Sequence, residues 1–150
     1  MAKEIEFKFL VKNRLFEEMA ETSTEIIQGY IDRTPEHVVR VRKKGGECFL
    51  TVKGKNKGAE RLEFEYSIPE EDFRQLLTLC SDNVIEKVRY LVKYEDFTWE
   101  VDVFKGNLKP LVLAEVEVPS IDTPFPLPPF VGEDVTNDPR YYNSNLISPV

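Results

Sequence analysis

The sequence predicts a mainly β fold of the α+β class, built as a barrel or sandwich of short strands with a few flanking helices. Eight segments alternate apolar and polar residues with period two, which is typical of strands. Glycine-containing turns such as Gly45-Gly46 separate several of them and favour hairpins. Aromatic residues make up 11% of the chain, ten of them phenylalanine, and aromatic side chains favour strands.

The predicted strands follow one another with few interruptions, at 3–11, 26–32, 37–43, 47–53, 60–67, 85–94, 97–104 and 112–118. The sequence "KKGGE" places a two-residue turn between the third and fourth strands, and "YEDF" places a tight turn between the sixth and seventh. Eight short strands joined mostly by turns indicate a barrel or a sandwich.

Helices are predicted in three places. Residues 14–20 form a short one, and residues 69–80 begin with a proline and acids, as helices often do. The segment 119–130 contains five prolines and is predicted to be an extended loop. Residues 138–147 form a last short helix capped by Asp138.

The size and charge of the chain limit its class. With 150 residues it is long enough for one domain with a substantial core, so we expect residues 1–150 to form a single domain. The net charge of −7 argues against binding nucleic acid through a basic face. No apolar run predicts a signal peptide or a membrane span. Cys48 and Cys80 lack the spacing of a metal site and are expected to be reduced, buried residues of a cytoplasmic protein.

Charged residues recur at alternate positions within the strands, so each strand has one apolar and one charged face. The acids of these faces are Glu4, Glu6, Glu63, Glu65, Glu100, Asp102, Glu115 and Glu117, and the bases are Lys8, Arg40, Arg42, Lys53, Lys87 and Arg89. An open sheet with its charged face in water explains any single strand. Taken together, however, neighbouring charges of one sign repel and need a compensating partner.

Metal ions and a polyanion are the natural compensators. Eight acids and six bases leave a net charge of −2, which two divalent cations would change to +2. Carboxylates suit Mg²⁺ or Mn²⁺, and arginines bind phosphate oxygens bidentately. A site with both is suited to metal-assisted phosphoryl transfer. If the sheet closes on itself, the charged face becomes its lumen.

The segment "EIEFK" at 4–8 resembles the Glu-x-Glu-x-Lys signature of the CYTH superfamily, the triphosphate tunnel metalloenzymes. Further segments follow in the family's order: "VRVRKKGGECFLTVKG", "RLEFEYSI", "IEKVRYLV", "WEVDVF", "LAEVEVPS" and "VTNDPRYYNSNL". The resemblance covers essentially the whole chain and is strongest to the short bacterial inorganic triphosphatases. It implies a closed eight-stranded antiparallel β-barrel, a tunnel with a charged interior.

The resemblance also implies roles for these side chains. The tunnel would hydrolyse inorganic triphosphate to pyrophosphate and phosphate with two divalent cations, Mg²⁺ or Mn²⁺. The eight acids would be metal ligands and the six bases would bind the phosphates. Lys8, Glu63, Glu65 and Tyr30 are the expected catalytic residues, with Glu63 or Glu65 accepting the proton of the attacking water. Tyr30 either touches phosphate or is a surface tyrosine of its strand.

Several other residues are expected to have structural roles. Phe7, where many relatives carry a base, and Trp99 are predicted on the outer, apolar face, and His37 on the surface. Residues 140–143 either cap one tunnel mouth or dock outside it. The turn lysines are expected to be solvated; these are Lys43, Lys44, Lys55 and Lys57.

Two alternatives remain open. The same site could serve thiamine triphosphate, nucleoside triphosphates or an adenylate cyclase reaction, although no aromatic pair at lumen positions offers a pocket for a base. A non-catalytic polyphosphate-binding module would tolerate loss of the acids, and all eight are present here. The expected partner is a small-molecule triphosphate, with no nucleic acid and no membrane, and a homodimer is left open.

Overall fold

The computed structural model describes residues 3–146 and shows an antiparallel sheet closed into a barrel. Its strands are β1 (Lys3–Val11), β2 (Thr22–Arg33), β3 (His37–Lys44), β4 (Glu47–Gly54), β5 (Glu60–Ile68), β6 (Val84–Tyr94), β7 (Phe97–Phe104), β8 (Val112–Glu117) and β9 (Val131–Asp134). They are ordered β5-β4-β3-β2-β6-β7-β8-β1-β9, and a further pairing of β5 with β1 closes the first eight. The predicted mainly β fold with an eight-stranded barrel is confirmed.

Closure depends on β1, which bonds to three strands. Its first residues pair with β5, where Glu4 lies opposite Arg61. Its centre pairs with β8, and its last residues pair with β9, where Val11 lies opposite Val131. The strand β9 therefore continues along the edge of β1 beyond β5. It was not predicted, because its four residues are too few to show a period-two pattern.

The helices are short and lie close to their predicted positions. They are α1 (Phe16–Met19), α2 (Glu70–Leu77) and α3 (Asn143–Leu146), and none among the described residues is long and apolar enough to cross a membrane. A 3₁₀ turn at Thr78–Cys80 follows α2, and another at Pro139–Tyr141 precedes α3. The Asp138 carboxylate caps this second turn by accepting a 3.0 Å hydrogen bond from the backbone N–H of Arg140. Ile147, the last residue of the predicted helix, lies outside the described residues.

The apolar faces of the strands point outward, beneath helices and the proline-rich segment. The helix α2 packs Phe73 into a cluster with Val41 of β3 and both cysteines, which are free and buried. The segment 119–130 brings the Phe125 ring to 5.2 Å from Phe7 and 5.9 Å from Trp99. Phe7 and Trp99 are therefore outer packing residues, as predicted. Burying such a side chain contributes about 1.5–3 kcal/mol, so this outer layer supplies much of the folding free energy.

The strand register brings the charged faces together inside the barrel. Arg40 of β3 lies opposite Thr51 of β4, which lies opposite Glu65 of β5. On the other side, Arg89 of β6 lies opposite Asp102 of β7. Because side chains alternate along a strand, residues opposite one another share a face, and here that face is the lumen.

Candidate active site

The lumen contains a cavity of about 200 Å³ with a strongly charged lining. Every predicted site residue except Asp102 lines it. These lining residues are Glu4, Glu6, Lys8, Tyr30, Arg40, Arg42, Lys53, Glu63, Glu65, Lys87, Arg89, Glu100, Glu115 and Glu117. The period-two pattern therefore located this lining from sequence.

The lining also contains residues that the paired-charge pattern missed. Arg61 and Lys44 also line the cavity, and Lys44 is at the same time exposed, in agreement with its expected solvation. Both could have been found by extending the alternation two residues beyond Glu63 and Arg42. Among the described residues the lining holds eight bases and seven acids, a formal charge of +1 instead of the predicted −2.

Three carboxylates from three strands form a cluster at which a cation could bind. One oxygen each from Glu6 on β1, Glu100 on β7 and Glu115 on β8 lie within 4.8 Å of one another. Burial, followed by repulsion from Glu115 and Glu4, raises the pKa of Glu6 well above its usual value. Burial opposes ionisation of Glu115 too, but Lys8, a hydrogen bond from Glu6 and nearby bases outweigh it and lower its pKa. Burial and Glu115 thus oppose a charge on Glu6, and this crowded oxygen set suits a hard divalent cation that would relieve the repulsion.

A second acidic group surrounds Lys53. The Lys53 Nζ atom lies 3.5 Å from Glu4 Oε1 and 3.3 Å from Glu63 Oε2. Burial raises the pKa of Glu4, with Lys53 acting against it. Burial acts in the same direction on Glu63, but Lys53 and a hydrogen bond from Glu4 lower the pKa of Glu63 overall. Burial, with repulsion from Glu4 and Glu63, raises the pKa of Glu117.

Two arginines of β3 are fixed by different partners. Arg40 donates to Thr51 Oγ1 at 3.3 Å and lies 3.6 Å from Glu65 Oε2, which also accepts a 2.9 Å hydrogen bond from Thr51. Arg42 donates through Nε to the neutral Gln28 side chain at 3.1 Å. Burial, then repulsion from nearby arginines, lowers the pKa of Arg42 to about 9. Arg42 therefore carries a charge that an anion in the lumen would stabilise.

Asp102 shares the inner face of the barrel with Lys87 and Arg89 and anchors these two bases. It is 1% exposed, and its two oxygens accept from Arg89 Nε and Nη2 at 2.8 and 2.9 Å. The Lys87 Nζ atom lies 2.7 Å from Asp102 Oδ2. Burial alone would raise the pKa of Asp102, but Arg89 and Lys87 outweigh it and lower the pKa to about 2. Asp102 was predicted as a metal ligand, and here both its oxygens are engaged by bases.

The C-terminal segment closes one mouth of the tunnel. Lys8 Nζ donates to the Tyr141 carbonyl and Lys87 Nζ donates to Asn143 Oδ1, each at 2.9 Å. Tyr142, Asn143 and Ser144 line the cavity. Arg140 instead binds Asp138 in an exposed pair. Of the two interpretations for this segment, the structure supports a cap.

The structure also shows the surroundings of Tyr30 and His37, whose positions were predicted from the sequence. Tyr30 is 2% exposed, lines the cavity, and its hydroxyl accepts a 2.8 Å hydrogen bond from Gln28, so it is not a surface tyrosine. His37 lies outside the lumen, where its ring is 2.6 Å from Asp32 Oδ2, and is a surface residue as predicted.

Comparison with known proteins gives a consistent result over the whole chain. The CYTH domain matches residues 2–144. An inorganic triphosphatase of Acetivibrio thermocellus is 45% identical over 148 residues, which cover 98% of this chain and 94% of that protein. One of Nitrosomonas europaea is 39% identical over 147 residues, covering 95% of each. The crystal structure of the inorganic triphosphatase NE1496 superposes with a TM-score of 0.70 at 37% identity, covering 100% of this chain and 99% of that one.

Proposed function

Because this chain belongs to the CYTH family, we propose that it hydrolyses inorganic triphosphate to pyrophosphate and phosphate inside the tunnel, with Mg²⁺ or Mn²⁺ as cofactor. One observation carries the proposal: the Glu6, Glu100 and Glu115 cluster lines the same cavity as eight bases of the described residues. The two curated relatives named inorganic triphosphatase support the choice of substrate. Residues 1–150 would form a single domain that contains this tunnel.

The carboxylates divide into two groups that could each hold one cation. Glu6, Glu100 and Glu115 would form the first site. Glu4, Glu63 and Glu117, which act on one another electrostatically, would form the second. A bound divalent cation would neutralise phosphate oxygens and acidify the attacking water. Glu65 already accepts from Thr51 and faces Arg40, which makes it a weaker candidate for a ligand.

The side chains of the tunnel would position the substrate and handle the proton. Arg40, Arg42 and Arg89 would hold the phosphate oxygens and offset charge on the departing pyrophosphate. Lys8, at the capped mouth, would orient the phosphate that reacts. Glu63 or Glu65 would accept the proton of the water as its oxygen bonds to the terminal phosphorus and the phosphoanhydride bond breaks.

A phosphate-release panel tests this function directly. The enzyme is supplied with triphosphate, pyrophosphate, ATP or thiamine triphosphate, each with Mg²⁺, Mn²⁺ or excess chelator. We expect kcat/KM for inorganic triphosphate to exceed that for ATP by about tenfold or more, since ~1.4 kcal/mol of transition-state binding gives that ratio. Full activity in chelator would refute the metal requirement, and faster turnover of ATP or thiamine triphosphate would refute the substrate.

Organic triphosphates are the second candidate substrates because another cavity adjoins the tunnel. This cavity of about 640 Å³ shares Glu100 and Glu117 with the lumen and is otherwise lined by Asp96, Phe97, Thr98, Val118, Pro119 and Thr123. Phe97 and Val118 could contact an organic group. The described lining contains no base, so nothing there would attract an extended anion. We therefore expect these esters to be poorer substrates of the same site, and the panel above tests this.

The outer face of β5 supports the homodimer left open by the sequence. Leu62, Phe64 and Tyr66, the outer β5 row, are 54%, 41% and 58% exposed. Taking about 200 Å² for each full side chain, the row exposes roughly 300 Å². A stable interface buries about 800 Å² per partner, so the row suits the apolar centre of one. At one end of β5, Glu60 is already paired with Lys3 at 3.0 Å, and this neutralised pair would not repel a second copy.

We propose that two copies pair through the outer β5 row, and light scattering during size-exclusion chromatography tests this. The wild type should elute as a dimer and Tyr66→Lys as a monomer. Leu79→Lys, at a leucine 64% exposed next to α2, is the control and should remain dimeric. A monomeric wild type, or a dimeric Tyr66→Lys variant, would exclude this interface.

The two free cysteines suit a reducing compartment, and we propose that the protein is located in the cytoplasm.

A further inference from the structure

Arg61 is a tunnel base that lies outside the paired-charge motif. It precedes Glu63 by two residues on β5, so both side chains share the inner face of the strand. It lines the cavity, and its backbone lies opposite that of Glu4 on β1. Its guanidinium group is therefore part of the wall that would face the substrate.

Arg61 differs from most neighbouring bases because no described carboxylate neutralises it. Lys53 is within 3.5 Å of Glu4 and Glu63, and Arg89 is held by several acids. By contrast, the Nε atom of Arg61 is buried with no hydrogen-bond partner among residues 3–146. A buried donor without a partner is costly, so an acceptor from outside the chain is expected there.

The surroundings of Arg61 suit the end of a phosphate chain. Lys53, Asn56, Gly58 and Ala59 line the same cavity and come from the end of β4 and the loop that follows it. Gly58 adopts a positive φ of 63°, which lets the loop turn back toward β5. The Lys53 ammonium, the Asn56 amide and the Arg61 guanidinium are thus donors suited to the three oxygens of a terminal phosphate.

We infer that Arg61, supported by Lys53 and Asn56, binds one end phosphate of inorganic triphosphate and thereby favours triphosphate over pyrophosphate. The inference rests on the proposed function. In this proposal a chain of three phosphates would engage Arg61 at one end and bases that line the same cavity, such as Lys8 and Lys87, at the other. Pyrophosphate is one phosphate shorter and must give up one of these ends. Loss of Arg61 therefore affects triphosphate more than pyrophosphate.

Binding and turnover of Arg61→Gln, Arg61→Lys and a control test this. Arg74→Gln is the control, because the Arg74 side chain is 70% exposed on α2 and pairs only with Glu70 among the described residues. Calorimetric titration in chelator gives Kd for triphosphate and pyrophosphate, and kinetics with Mn²⁺ give kcat and KM. Arg61→Gln should weaken triphosphate binding and raise KM by about tenfold or more, with pyrophosphate changed by less than about twofold. Arg61→Lys should recover part of this loss, and Arg74→Gln should match the wild type.

The outcomes separate this inference from the function on which it rests. A wild type that binds triphosphate without releasing phosphate overturns the proposed function, whereas the titration still decides the role of Arg61. A wild type that hydrolyses triphosphate and an Arg61→Gln variant with unchanged Kd and KM overturn only the role of Arg61. An equal loss for both ligands with a lower Tm indicates a structural role and also overturns it. If Arg61→Gln does not fold, the Arg61→Lys variant decides. Because lysine lacks the bidentate fork, an unchanged Kd for triphosphate in Arg61→Lys would overturn the role of Arg61.

Discussion

Replacing Asp102 with Asn distinguishes an anchor for bases from a metal ligand. Asn keeps the size of the side chain but removes the charge that holds Arg89 and Lys87 at 2.7–2.9 Å. Lys87 is 1% exposed, so its ammonium would lose its only carboxylate partner among the described residues. Removing one partner of a buried pair typically costs 3–5 kcal/mol, and the retained amide oxygen favours the lower end, about 3 kcal/mol. For a domain of this size that corresponds to a Tm lower by about 6–12 °C.

The pH dependence of this loss has a definite sign. The pKa of Asp102 is lowered to about 2 in the folded protein, below the value of about 3.9 in an unfolded chain. Its stabilisation is therefore fully present above pH 4 and is lost as the pH falls toward 2. Urea unfolding of the wild type and Asp102→Asn should give free energies that differ at pH 7 and converge between about pH 4 and pH 2.

Metal titration decides between the two roles of Asp102. As an anchor, Asp102→Asn should raise KM for triphosphate by about tenfold, because Lys87 and Arg89 lose their orientation. The half-saturating Mn²⁺ concentration should change by less than about threefold. Loss of a true ligand would weaken metal binding far more and leave Tm without metal nearly unchanged. That second pattern would refute the reasoning from the structure.

Four further predictions concern the acids and one glycine. Glu6→Gln should lower kcat/KM by about 10²-fold or more by removing a metal ligand, as we also expect for Glu117→Gln. In chelator, Glu6→Gln should nevertheless raise the calorimetric Tm, because it removes a buried acid whose charge Glu115 opposes; a lower Tm would contradict this. The half-saturating Mn²⁺ concentration should fall as pH rises, because protons compete with the cation for the Glu6 carboxylate, whose pKa is raised, and a flat profile would argue against that site. Gly29→Ala should cost about 1–3 kcal/mol in urea unfolding with kcat unchanged, because its Cβ would lie 2.7 Å from Cys80 Sγ; an unchanged midpoint would show that the helix shifts freely.

The sequence predicted the strands in which apolar and charged residues alternate regularly. Strands such as β1 and β7 alternate apolar and charged residues, so their bounds and their inward side chains could be predicted. The first residues of β2 are "TSTE", which show no alternation, and only pairing with β6 extends the strand back to Thr22. Residue spacing gives the face of Asp102 but not its depth, and depth decides whether a carboxylate lines the cavity or is buried among the bases that line it. The +1 charge of the lining likewise depended on Arg61 and Lys44, two bases that lie outside the charged pairs named from the sequence.

The pairing of β1 with three strands has a consequence for how the enzyme is made. Glu4, Glu6 and Lys8 leave the ribosome long before β8 and β9, the strands with which β1 pairs, because those strands lie more than 100 residues later in the chain. Although β5 can pair with the first residues of β1, the edge of β1 that pairs with β8 stays open until β8 emerges, and contacts between distant segments form slowly. The proposed cation site cannot form until β8 has emerged, because Glu115 would be one of its ligands. A ribosome-bound chain that stops before β8 should therefore be unable to hold metal at this site, and catalytic competence should appear only after β8 has been synthesised.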